Sequence, residues 1–95
     1  MRTIEQGKIT RNEIALFVYR FEQECKCGTS IDWICYAMKL SRSTIEKHVK
    51  IMRSDGRLKM TKHLSHEIYG GTGNGFMWLY TVTEREARAV MEAMK

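Results

Sequence analysis

The chain of 95 residues contains no proline and no low-complexity tract. No apolar run approaches the roughly 18–20 residues that a membrane-spanning helix needs. With 43% apolar and 28% charged residues, the composition is that of a packed soluble domain and not of a disordered segment. The length suits one domain, residues 1–95, with one modest core. The first residues, MRTIEQGKITRN, are polar and mixed, and read as neither a signal peptide nor a membrane anchor. Three cysteines, an odd number, without a secretory leader argue for reduced thiols and a cytoplasmic location. Cys25-x-Cys27, Cys35 and the three histidines lack the paired ligand spacing of a structural zinc site, so no metal and no cofactor is expected. Cys25 and Cys35 continue the apolar faces of two successive helices and read as small core residues. There is no paired-carboxylate or nucleophile–base signature, so an enzyme is not expected.

What the chain does have is a local excess of positive charge. Residues 41–63 carry Arg42, Lys47, Lys50, Arg53, Arg57, Lys59 and Lys62 against Glu46 and Asp55, a balance of +5 that equals the formal net charge of the whole chain. The rest of the sequence is therefore neutral. A confined positive patch attracts a polyanion and gains further by releasing its condensed counterions. A solvated face with no partner would carry the same charge, so the surrounding pattern has to decide.

Two hydrophobic periods organise the chain. Residues 1–9 read as an arm or short strand. Thr10 and Glu13 then form a T-x-x-E capping box. Ile14, Phe17, Val18, Phe21 and Cys25 follow the helical rule over about 11–25. Gly28 ends that element, and Thr29 or Ser30 can cap a shorter helix at about 30–39, with Ile31, Ile34, Cys35 and Met38 on its apolar stripe. Ser41 is the N-cap expected for a third helix running to Ser54. This helix turns Ile45, Val49 and Met52 inward and Ser43, Glu46, Lys47 and Lys50 outward, and Asp55-Gly56 stops it. His48 flanks the inward side.

Beyond Gly56 the period becomes two. Leu58, Met60, Leu64 and Ile68 alternate with Lys59, Thr61, His63, Ser65 and Glu67 as a half-buried strand. GGTGNG at 70–75 is a loop, and Phe76 to Val82 a second strand with Phe76, Trp78, Tyr80 and Val82 on one face. Trp78 and Tyr80 read as core because they point the same way as Val82. Thr83 and Glu86 make another capping box, opening a last helix over 84–95 that carries Ala87, Val90, Met91 and Met94 on one side.

The order helix, helix, short turn, helix, hairpin (11–55 and 57–82), then a last helix is that of an α+β winged helix-turn-helix domain. The stretch LSRSTIEKHVKIMRSDGRL, residues 40–58, resembles the turn, recognition helix and following strand of bacterial winged-helix regulators. YTVTEREA, residues 80–87, is similar to their return strand and last helix. The resemblance covers about residues 11–90 in element order.

It implies a small bacterial, phage or plasmid-type transcriptional regulator that binds double-stranded DNA sequence-specifically. The helix at about 42–54 would lie in the major groove, where each base pair shows its own set of donors and acceptors. Carried onto this chain, Arg42, Ser43, Thr44 and Lys47 are the base-reading candidates. Ser41, Lys50, Arg53, Lys59, Lys62 and His63 are the phosphate candidates. Arg42 leads, because a guanidinium can bond guanine O6 and N7 together. Glu46 could accept from a cytosine amine or close a capping box with Ser43, and the cap is the favoured role. The hairpin tip, Tyr69 to Gly75, has no Lys or Arg, unlike many wings.

Two further expectations concern partners. A homodimer would double the short recognition surface, through the apolar side of the last helix with Ile4 and Ile9 as additional contacts. The alternative function is a protein-interaction module or inhibitor, docking an acidic protein partner through the same basic face.

Overall fold

Among the described residues, apolar side chains at helical spacing give four helices that pack around one core, and a change of period to two gives an antiparallel hairpin. The computed structural model describes residues 4–64 and 76–94. The element order is α1 (Ile4–Cys25), α2 (Ile31–Met38), α3 (Arg42–Ser54), β1 (Leu58–Leu64), β2 (Phe76–Val82) and α4 (Glu84–Ala93). Among the described residues this is a small α+β fold of four helices and a two-stranded antiparallel sheet. The pairing runs from Leu58 opposite Val82 to Leu64 opposite Phe76. The expected Ile68, GGTGNG and Tyr69–Gly75 features lie outside the described residues.

The core joins every element. Ile14, Ala15 and Val18 of α1, Ile34 of α2, Ile45, Val49 and Met52 of α3, Leu58 of β1, Val82 of β2 and Val90 of α4 form one buried cluster. Each large side chain among them contributes roughly 1.5–3 kcal/mol by leaving water. The three inward residues expected on α3 are all in it.

Side-chain caps set three of the helix starts. Ser30, Ser41 and Thr83 each hold an extended backbone and accept from the amide three residues on: Trp33, Thr44 and Glu86 respectively. Such a cap is worth about 1 kcal/mol. Thr29 has another task. It is fully buried, and its amide and carbonyl both bond Tyr80 of β2, so the chain between α1 and α2 lies along the sheet edge. Lys39 ends α2 in the left-handed conformation (φ 56°), which turns the chain into α3 across only three residues.

Three expectations are corrected here. Residues 4–9 of the expected arm are helical, the first three lying outside the described residues: α1 begins at Ile4, and the Thr10 hydroxyl donates to the Gln6 carbonyl at 3.0 Å, inside the helix. A threonine with a glutamate three residues on meets the capping pattern equally well in mid-helix, where its hydroxyl bonds back one turn. Cys25 is exposed, because α1 has passed the edge of the core by its last turn, and Cys35 is half-buried. Trp78 is 48% exposed, although it shares a sheet face with buried Val82 and half-buried Tyr80. The hairpin leaves the core as it extends, so burial on that face falls from Val82 through Tyr80 to Trp78.

Candidate nucleic-acid interface

A 13-residue helix with one buried side leaves the other side for a partner. On α3, Ile45, His48, Val49 and Met52 are buried. At 3.6 residues per turn, Ser43, Lys47 and Lys50 fall opposite them, and all three are exposed. Arg42, Glu46 and Arg53 lie along the flank that faces the hairpin. There Ser30, Ile31, Asp32, Arg42, Glu46, Trp78 and Tyr80 line a cleft of about 390 Å³. Thr44, the remaining base-reading candidate, is half-buried, and Ser41 is exposed.

His48 is held inside. Its Nδ1 accepts from Arg11 Nη1 at 3.2 Å. Because arginine has no acceptor, this nitrogen must carry the lone pair. The bond ties α3 to α1.

Arg42 is not a free surface cation. Its Nε donates to Glu46 Oε1 at 2.9 Å and its Nη1 to Asp32 Oδ1 at 2.9 Å, with the arginine side chain still 61% exposed. The hydrogen bond to Glu46 and then the Asp32 charge raise its pKa above the ordinary guanidinium value. Glu46 therefore pairs with Arg42 and does not close a capping box with Ser43. The i,i+4 spacing brings the two side chains together on one flank, and Ser41 alone caps the helix. Asp32 was not foreseen: ten residues separate it from Arg42, and only the turn at Lys39 brings them together.

Arg57 is also committed. It is partly buried, paired with the Glu86 carboxylate and bonded to Asn12 Oδ1 at 2.8 Å. With Arg42 and Arg57 engaged, the exposed cations of the 41–63 patch are Lys47, Lys50, Arg53, Lys59 and Lys62.

The sheet divides the three hairpin candidates. Lys62 lies opposite Trp78 in the register, with its ammonium 5.8 Å from the ring centroid, on the face that also carries Tyr80 and turns toward α3. Lys59 and His63 alternate to the other face, so they do not share a surface with α3. Trp78, read from sequence as core, is thus a surface ring beside Arg42.

Two groups in this region have shifted acidities. Burial raises the Tyr80 phenol above its ordinary value, with Glu46 adding and Arg53 and Arg42 opposing. Burial foremost, with Asp32 adding, raises the Cys35 thiol, which keeps it neutral at physiological pH. Among the described residues no group of three or more His, Cys, Asp or Glu side chains could hold a metal ion, and no helix is long and apolar enough to cross a membrane. A second, apolar groove of about 410 Å³ runs between α1 and α4, lined by Ile9, Leu16, Ala89, Val90, Ala93 and Met94 among others.

No protein-family model, curated protein or solved structure matches this chain.

Proposed function

We propose that the chain is a single winged helix-turn-helix domain that acts in the cytoplasm as a sequence-specific DNA-binding transcriptional regulator, with α3 in the major groove. One observation carries the reading. α3 buries Ile45, His48, Val49 and Met52 and presents Ser43, Lys47 and Lys50 on the opposite side. At 1.5 Å per residue it is about 20 Å long, and a helix fits a major groove about 12 Å wide. Lys62 and Arg53 both lie on the hairpin side of this surface and would grip phosphates there, which fixes register without reading sequence. The pairing of two copies belongs to the same proposal. Met91 and Met94 of α4 and Ile9 of α1 are each about half exposed, and a two-fold contact there would place two recognition helices on one duplex.

The test is selection of the protein on a random-sequence duplex pool, with Lys47→Ala alongside. An enriched motif that is relaxed in the variant supports the reading. Salt-sensitive binding with no enrichment for either protein sinks it, and leaves docking of an acidic protein partner as the use of this face.

A further inference from the structure

Two carboxylates on a guanidinium oppose its contact with a phosphate. Arg42 has them from two different helices: Asp32 in the first turn of α2 and Glu46 one turn along α3, each at 2.9 Å. The guanidinium offers five N–H donors. Nε and one Nη1 hydrogen are used, and Nη2 has no partner among the described residues. The group is thus held in place from two sides while keeping donors for a ligand, at the N-terminal turn of the helix whose outer side is free. An arginine restrained in this way loses less rotamer freedom on binding than a loose one.

The charge of the cluster bears on what it can bind. Asp32, Arg42 and Glu46 together carry −1, set in a face that is otherwise positive. A phosphate approaching Arg42 meets two carboxylates. The edge of a guanine, which is uncharged and presents O6 and N7 as acceptors in the major groove, is repelled far less. Resting on the DNA-binding reading above, we infer that Asp32 and Glu46 are specificity-determining residues: they position Arg42 to read guanine and keep it off the backbone. Their carboxylates act through Arg42 and are positioning groups. They trade general affinity for discrimination at one base pair.

The experiment compares wild-type protein with Asp32→Asn, Glu46→Gln and Arg42→Ala in the same duplex selection, followed by titration of a duplex bearing the selected motif and one with a single changed base pair. Both amide variants keep shape and remove one charge from an exposed side chain. Wild-type protein is expected to prefer guanine at one position, and Arg42→Ala to lose that preference. The amide variants are expected to bind unrelated duplex more tightly at low salt, while discrimination at that one position falls roughly five-fold or more and the other positions keep theirs. If wild-type protein selects a motif and both amide variants discriminate at every position as it does, the inference is overturned and the DNA-binding reading stands. An Arg42→Ala loss spread evenly over all sequences also overturns it, since Arg42 would then be a phosphate contact. Wild-type protein selecting no motif removes the DNA-binding reading itself.

Discussion

Arg57 and Glu86 meet in a partly buried ion pair that ties the start of the hairpin to α4. The glutamate side chain is 8% exposed and the arginine 23%. The same guanidinium reaches Asn12 of α1, and the Arg57 carbonyl accepts the Thr83 amide that precedes α4. The two partners are not equivalent. Removing the arginine strands a carboxylate away from water, whereas removing the carboxylate leaves an arginine that can still reach solvent and Asn12. Breaking a fully buried pair costs roughly 3–5 kcal/mol, and the exposure of Arg57 reduces this. Arg57→Ala is therefore expected to cost about 2–3 kcal/mol and Glu86→Ala less. Urea unfolding of both variants measures this. Equal losses would show that the carboxylate is solvated in the native state.

Much of this architecture was legible because it is written locally. Ser41 as a cap, the inward set of α3, the turn at Asp55-Gly56 and the Thr83 cap each depend on residues within one or two turns of one another. What was not legible depends on how far an element runs past its neighbours. Strand alternation puts Trp78 and Val82 on one face but does not say where along the strand the core ends. The Thr10–Glu13 pattern fits a helix start and a helix interior alike. The Arg42–Asp32 contact leaves no periodic trace at all, because an irregular turn sets it. Arg57 counted as surface charge in the sequence for the same reason: its partner is 29 residues away.

Gly28 is fixed by a close approach. A Cβ built there would sit 2.9 Å from the Tyr80 carbonyl oxygen, 3.0 Å from Leu79 Cβ and 3.1 Å from Thr81 Cγ2. The oxygen belongs to the bridge that Thr29 makes with Tyr80, so it cannot move without loosening both of those hydrogen bonds. Gly28→Ala is expected to destabilise the fold by about 1–3 kcal/mol, as overpacking does. A lower urea midpoint with an unchanged slope is the expected observation, and a wild-type midpoint would mean that this segment stands off from the sheet.

Lys62 and Lys59 are close in sequence and on opposite sheet faces, and only Lys62 shares a surface with α3. On the proposed DNA complex, each phosphate contact adds about 0.9 to the slope of log affinity against log salt. Lys50→Ala and Lys62→Ala are each expected to lower that slope by about 1 and to weaken all sequences alike. Lys59→Ala should leave it unchanged. Binding of the three variants to one duplex over a range of salt concentrations measures this. A Lys59→Ala loss equal to that of Lys62→Ala would place the duplex across the edge of the hairpin and not against α3.

Tyr80 gives the fold an alkaline limit. Its phenol is half-buried, and burial foremost raises its pKa above the ordinary value of 10.0. In the unfolded chain the phenol ionises near that ordinary value, while the folded chain holds its proton to higher pH. Over that interval the unfolded state binds fewer protons, so stability falls as pH rises. The contribution is fully present below pH 10 and is lost from about 10 upward. Tyr80→Phe keeps the ring and removes the titration. Its unfolding free energy is expected to parallel that of wild-type protein between about pH 6 and 9, then to decline less steeply above 10. Denaturant unfolding of both proteins across that range is the measurement. Parallel curves above pH 10 would mean that Tyr80 ionises equally readily in both states, and that its hydroxyl faces the cleft beside Arg42 and not the core.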